Sequence, residues 1–280
     1  MKPLINWEEL QSLNKMQNPP QPIQNPGQFW GKQAPMYNQM AQMEKKYTTN
    51  QINAIGADVN DTVLDIGCGP GRITSMIAPG VSHVTAIDAS EKMLEYCQTN
   101  CKNLGLSNVT TRLLKWEDAV LGENIEKHDI VIASRSVGMQ DIRKLNRFAK
   151  KKAVVICWAN APHIPLILDE MFRNTSDAFT SSSRGFQMDR RLGYNVVFNM
   201  VYDLDLDPNI SIVDDGFSKN YPSYAEAYDD LRKLRNFDDE KLPVFKENLK
   251  PLLTENEDGS VTFCKETRSF VLWWTPKSLD

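Results

Sequence analysis

Histidine is scarce: His83, His128 and His163 are the three in 280 residues. None stands at metal-ligand spacing from another histidine or a cysteine, so no transition-metal centre is expected. Cysteine is sparse and odd in number, with Cys68, Cys97, Cys101, Cys157 and Cys264 widely scattered. That pattern argues for reduced thiols and against a disulfide framework. Cys97 and Cys101 share a helix face, but two thiols do not complete a zinc site. Positive charge is not in excess either: 32 Lys+Arg against 36 Asp+Glu give −4 and a pI near 5.5. A basic face for gripping phosphates is therefore not expected, nor is a nucleic-acid partner. No apolar run approaches the roughly 18 residues of a membrane span. The opening MKPLINWEEL lacks the apolar core of an export signal, so a cytoplasmic protein with no membrane partner is expected.

What is present is an ordinary globular composition, 41% hydrophobic and 24% charged. Six prolines crowd the first 35 residues and are expected to break regular structure after a short helical start over Trp7–Met16. Met36, Met40, Met43 and Tyr47 recur at helical steps and predict a helix over Met36–Ile55. From Thr62 short apolar strands alternate with helices: TVLDIG, a helix after CGPG, HVTAID, EKMLEYCQTNC, VTTRLL, DIVIAS, DIRKLNRFAKKK and AVVICWAN. Such alternation predicts an α/β doubly wound, mostly parallel sheet.

Beyond Asn160 the alternation is interrupted. A helix near Pro165–Asn174, a polar stretch, a strand over YNVVFNMVYDLDLD and an amphipathic helix over SYAEAYDDLRKL are expected. A helix over Leu242–Leu253 leads to SVTFCKET and RSFVLWW, which read as an antiparallel hairpin. The expected divisions are a helical lid segment at 1–59, a ligand-binding core at 60–160, a substrate cap at 161–236 and a closing helix and hairpin at 237–280. The sheet is expected to have seven strands, with the cap inserted after the fifth.

The most informative stretch is VLDIGCGPGRIT. A strand ends in Gly67, Gly69 and Gly71, which let the backbone turn sharply and a ligand lie against bare main chain. Asp65 sits inside that strand end. Asp88 ends the next strand, 21 residues after Gly67, where an acid accepts hydrogen bonds from ribose hydroxyls. A dinucleotide fingerprint needs glycine at the sixth place of G-x-G-x-x-G. Arg72 stands there instead, and Pro70 removes a backbone donor that a pyrophosphate would need.

The D-x-G-x-G-x-G arrangement from Asp65 to Gly71 resembles the first motif of class I S-adenosylmethionine-dependent methyltransferases, in their small-molecule, type 11-like branch. The resemblance covers residues 60–160 and, more loosely, 260–275. It implies a Rossmann-like fold, S-adenosyl-L-methionine as cofactor and S-adenosyl-L-homocysteine as product. Residue by residue, it implies that Gly67, Cys68 and Gly69 flank the amino-acid moiety and that Asp65 orients its ammonium. Asp88 would hold the ribose, Ala89 and Ser90 would lie beside the adenine, and Met93 would pack on it. Trp116 and Glu117 would supply the other adenine wall; Lys115 stands where the family places an acid, so Asp118 is an alternative contact. Ala133 and Ser134 would line the methionine and the reactive methyl.

Methyl transfer from a sulfonium needs chiefly an aligned acceptor, so no catalytic residue is named from the sequence. Tyr37, Arg135 and His163 are candidates to touch a small-molecule acceptor. A D/N-P-P-Y turn, used on base amines, is missing after DIVIAS, where ASRSVGMQD follows. The six cations from Arg143 to Lys152 read as a solvated helix end, and Asp203, Asp205 and Asp207 read as a solvent-facing strand edge. Three alternatives stay open: a non-catalytic sensor of the same cofactor, a tRNA or rRNA methyltransferase, and a nicotinamide oxidoreductase.

Overall fold

The computed structural model describes residues 5–7, 9–10, 23–175 and 193–279. Most of the predicted Trp7–Met16 helix, and the polar stretch with Phe179, lie outside the described residues. Among the described residues the helices used below are α1 (Pro26–Ile55), α2 (Arg72–Ile77), α3 (Glu91–Asn103), α4 (Ile142–Phe148), α5 (Ile164–Met171), α6 (Tyr194–Tyr202), α7 (Tyr224–Leu231) and α8 (Leu242–Leu249). The strands are β1 (Thr62–Ile66), β2 (His83–Asp88), β3 (Val109–Leu113), β4 (His128–Ser134), β5 (Ala149–Trp158), β6 (Asn209–Tyr221), β7 (Leu253–Glu255) and β8 (Val261–Trp274).

Seven strands lie in the order β3-β2-β1-β4-β5-β8-β6, with the three-residue β7 paired to β8 off that path. The first five are parallel, and β8 runs antiparallel to both β5 and β6. The doubly wound, mostly parallel sheet expected from the alternation is therefore present. Strand order reverses between β1 and β4, so their carboxyl ends open the crevice where ligands of open sheets lie.

Period-two alternation sends successive side chains of each strand to opposite faces. Leu64, Ile66, Val131, Ala133, Val155 and Leu272 join one core, with Ile142, Leu145 and Phe148 of α4. Val63, Val84, Ile132, Val154 and Val271 join the other, with Ile73 and Ile77 of α2. Each such apolar side chain, fully buried, stabilises the fold by roughly 1.5–3 kcal/mol. A third cluster holds Met40 and Met43 of α1 against α5, α7 and α8, through Ile167, Phe172, Leu231 and Phe245. No helix among the described residues is long and apolar enough to cross a membrane.

Four expectations are corrected. Helix α1 begins at Pro26, ten residues before Met36. Pro26 occupies the first turn, where a missing N–H costs nothing, and Asn25 caps it by accepting from Gln28 N at 3.1 Å. Pro35 inside the helix removes only the bond to the Gly31 carbonyl.

The run from Tyr194 is a helix, not a strand. Val196, Val197, Met200 and Val201 form one buried face against Phe270 and Leu272. Asp203 and Asp205 then lie in a turn, with Asp205 left-handed at φ 59°, and Asp207 in the irregular segment after it, none of them along a strand edge.

SVTFCKET and RSFVLWW are one continuous strand, not a hairpin. The polar middle of β8 is matched across the ladder by β6, where Asp214 faces Arg268 and Asp215 faces Thr267. The span 161–236 consequently supplies sheet elements, α6 and β6, as well as α5 and α7 beside α1. Finally, the cation run is divided: α4 ends at Phe148, and Lys150, Lys151 and Lys152 begin β5.

Candidate functional site

Gly67, Gly69 and Gly71 all adopt left-handed backbone, φ 64°, 56° and 84°. A Cβ at Gly67 would stand 2.6 Å from Cβ of Ser136, and one at Gly71 would stand 2.7 Å from Cys97 Sγ. At Gly69 the nearest atom is Met93 Sδ at 4.0 Å, so the loop turns an open backbone surface outward there. The Gly69 N–H donates to Asp88 Oδ2 at 2.9 Å, and the Ser90 N–H donates to Asp88 Oδ1 at 2.8 Å. Ser90 in turn caps α3, its hydroxyl accepting from Met93 N at 3.4 Å. Burial pushes the Asp88 carboxyl up, opposed by those backbone donors.

Asp65 lies just behind the loop, 1% exposed, and accepts from the Thr74 hydroxyl at 2.6 Å. Burial pushes its carboxyl up to about 6. Beside them Cys68, Cys97 and Cys101 share an apolar cluster. Against a hydrogen bond with Cys97, burial and the carboxylates of Asp65 and Asp88 push the Cys68 thiol up to about 11. A thiol held protonated is a packing group, not a nucleophile.

Helix α1 lies over this edge. A Cβ at Gly27 would be 2.6 Å from the Ala89 carbonyl oxygen, and one at Gly31 would be 3.4 Å from Ser90 Oγ. Two glycines one turn apart thus let α1 rest directly on the β2–α3 junction.

Further along, α1 is tied to the carboxyl edge by a buried ionic cluster. Glu44, 1% exposed, takes Arg72 Nε at 3.1 Å and Arg135 Nη1 at 2.9 Å. Arg135 also pairs with Asp215 of β6, which accepts from Gln51 at 2.9 Å and from Ser269. Arg72 reaches Gln51 Oε1 at 2.8 Å and the Ser134 hydroxyl at 2.7 Å. Two acids and two guanidinium groups balance, which is the condition for burying such charges. Burial pushes the Glu44 carboxyl up while both arginines oppose it.

The predicted acceptor residues meet around one side chain that sequence reasoning did not single out. The Arg135 guanidinium lies 4.0 Å from the Trp158 ring centroid, and His163 sits edge-on to that ring at 5.8 Å. Tyr37 and Trp158 flank the same apolar cluster. Arg135 and Asn160, just past the ends of β4 and β5, are left-handed non-glycine residues at φ 52° and 53°. Such backbone is held only where the surroundings enforce it. Near these strand ends, Arg135 Nε, Ser136 Oγ, Trp158 Nε1, Asn160 Oδ1 and, within β8, Thr267 Oγ1 are buried and have no hydrogen-bond partner among the described residues.

Four predicted residues have surroundings that the sequence did not indicate. Arg135 is committed to the ionic cluster and does not point freely at an acceptor. His163 caps α5, its Nδ1 accepting from Leu166 N at 3.4 Å, and burial holds its ring below the usual range. Trp116 is a core residue, 6% exposed and packed on Phe148 with ring centroids 5.1 Å apart, whereas Glu117 is solvent-exposed. The remaining predicted residues, Ala89, Ala133 and Ser134 among them, line the carboxyl ends of β2 and β4 beside the glycine loop. Sequence reasoning missed Glu44, Arg72, Ser136, Trp158 and Asp215. Of these only Arg72 carried a local signal, as the side chain in the place of a fingerprint glycine.

Comparison with known proteins bears on this arrangement. Residues 57–184 match the family model described as a methyltransferase domain. An uncharacterized protein of Haemophilus influenzae is 28% identical over 207 residues, 72% of this chain and 71% of that protein. A Methanococcus maripaludis protein described as a "probable cobalt-precorrin-6B C(15)-methyltransferase (decarboxylating)" is 30% identical over 103 residues, 37% of this chain and 54% of that protein. Among solved structures, a tRNA (m1A58) methyltransferase from Aquifex aeolicus gives a TM-score of 0.43 at 13% identity, covering 81% of this chain and 67% of that one. That match spans a little under half of the chain, and strands β1–β5 and the glycine loop lie within it.

Proposed function

We propose that this protein transfers a methyl group from S-adenosylmethionine to a small-molecule acceptor. The observation that carries the reading is the glycine loop bonded to Asp88 at the reversal point of the sheet. The residues fit such a donor. An open backbone surface at Gly69, a buried acid at Asp88 and the unpartnered Ser136 hydroxyl against Gly67 form a polar cradle for a nucleoside bearing an amino acid. Asp88 would receive the ribose hydroxyls, with Ala89, Ser90 and Met93 beside the base. Asp65, Gly67, Cys68 and Gly69 would flank the amino-acid end, and Ala133 and Ser134 the reactive end. Trp116 and Glu117 would shape the far side of the base pocket through the turn they occupy.

When bound, the donor supplies an activated sulfonium methyl. The chain's own contribution is then positioning and exclusion of water. Helix α1 covers the nucleoside edge, and the Glu44–Arg72–Arg135–Asp215 cluster fixes it there. The acceptor would enter on the side of Trp158, Tyr37 and Asn160. The neutral indole N–H and the amide oxygen could each hold one polar atom of it. Burial holds the His163 ring below its usual range and pushes the Tyr37 phenol up, which favours the neutral form of each beside the sulfonium.

Calorimetric titration of the whole chain with S-adenosylmethionine, S-adenosylhomocysteine and NAD tests this reading. Saturable binding of the two sulfur nucleosides without a response to NAD is expected. Binding of NAD alone would overturn it. Formation of S-adenosylhomocysteine in an acceptor screen then separates an enzyme from a sensor, and inclusion of a transcript pool tests a nucleic-acid acceptor.

A further inference from the structure

The opposite end of the sheet carries a pocket that the proposed methyl transfer does not use. It has a volume of about 840 Å³ and gathers Lys127, Arg143, Arg147, Lys150 and Lys277 with no acidic residue in its lining. Topology explains the convergence. Lys127 precedes β4, Lys150 is the second residue of β5, and His128 is in register with Ala149. Because β8 runs antiparallel to β5, its end at Trp274 lies beside Ala153 and delivers Lys277 to the same place. Arg143 and Arg147 stand one turn apart on the exposed face of α4.

Lys127, Arg143, Arg147 and Lys150 form no ion pair or side-chain hydrogen bond among the described residues. Lys277 does pair, with the exposed Asp207 at 2.8 Å. Asn146 in the wall is spent on the Lys277 carbonyl and the Trp274 indole. The negative end of α4 points this way and uses part of Arg147. Lys127 and Arg143 remain without an ion pair among the described residues, and Lys150 has the nearby Asp129 carboxylate as an unbonded neighbour. In a chain of net charge −4, a concave site with five cations, of which only Lys277 is ion-paired among the described residues, is a local field that concentrates anions.

The geometry points to a binding site for a compact polyanion of the phosphate type at the amino ends of β4 and β5. Its volume is that of a small-molecule site, and arginine forks match phosphate oxygens two at a time. The seven residues of β4 separate it from the glycine loop, which is about 20 Å of strand. A ligand here is therefore distinct from donor and acceptor.

The test is calorimetry of the full chain with inorganic pyrophosphate, repeated with a mixed-sequence single-stranded RNA of about twelve nucleotides. Arg143 and Lys150 are exposed, so the variant R143Q/K150Q should fold as the parent does. Saturable pyrophosphate binding that weakens at least tenfold in R143Q/K150Q, with affinity for S-adenosylhomocysteine unchanged, is the expected result. No saturable binding to the parent, or equal binding by the variant, would overturn the site. RNA binding at least tenfold tighter than pyrophosphate and lost in the same variant would overturn the compact ligand and leave a nucleic-acid track in its place.

Discussion

The backbone N–H of Gly69 and the carboxylate of Asp88 are joined at 2.9 Å, so the loop after β1 and the acid ending β2 form one rigid unit. Asp88 therefore holds the loop, and under the proposed function its remaining lone pairs would receive the ribose hydroxyls. Asp88→Ala should leave one buried and one partly buried N–H group unpaired and lower unfolding free energy by about 1–3 kcal/mol. Affinity for S-adenosylhomocysteine should fall at least tenfold. Denaturant unfolding and calorimetry read the two effects separately, and unchanged affinity in a folded variant would refute the ribose assignment.

Gly71 and Gly105 separate backbone strain from crowding. Both are left-handed, at φ 84° and 69°, but only Gly71 faces a wall, Cys97, while nothing approaches Gly105 within 4 Å. Alanine at Gly105 should cost about 1 kcal/mol of backbone strain. At Gly71 crowding adds to that strain, a further 1–3 kcal/mol or so. Equal shifts in the denaturant midpoints would contradict the packing described for α2 and α3.

Asp65 makes stability fall as pH rises. Its folded value near 6 is above that of an unfolded aspartate, near 4, so the folded state keeps the proton longer. Between about pH 4 and 6 the native state binds more protons, and stability is lost across that window, on the order of 2–3 kcal/mol. Asp65→Asn should match the parent at pH 4 and exceed it at pH 7.5 in urea unfolding. An unchanged difference across that range would show that Asp65 does not titrate as described.

The start of α1 should be sensitive to bulk at Gly27. Valine there would collide with the Ala89 carbonyl, 2.6 Å from the first added carbon. Faster amide exchange over residues 26–34, with donor affinity down about tenfold, is expected. Protection identical to the parent would mean that this turn does not bear on the β2–α3 junction.

The glycine loop was legible because its elements are close in sequence. Asp65, Gly67 and Gly69 lie within five residues, and Asp88 follows at the distance one βαβ unit dictates. The ionic cluster was not legible, since Glu44, Arg72, Arg135 and Asp215 come from four elements that only the folded chain brings together. Tyr194–Tyr202 misled through its valines, whose strand propensity was overridden by a helical face that fits Phe270 and Leu272. The polar Lys265–Arg268 looked like a turn, yet these residues stay extended because β6 pairs all along them.

The place of β8 between β5 and β6 has a consequence for synthesis on the ribosome. Both neighbours are made first, and each must wait with an open edge until residues 261–274 emerge. For β5 that interval spans more than a hundred residues of translation. An exposed apolar edge over such a time invites pairing between nascent chains. Lys150, Lys151 and Lys152 at the head of β5 put three like charges on that edge, the arrangement by which waiting strands repel one another.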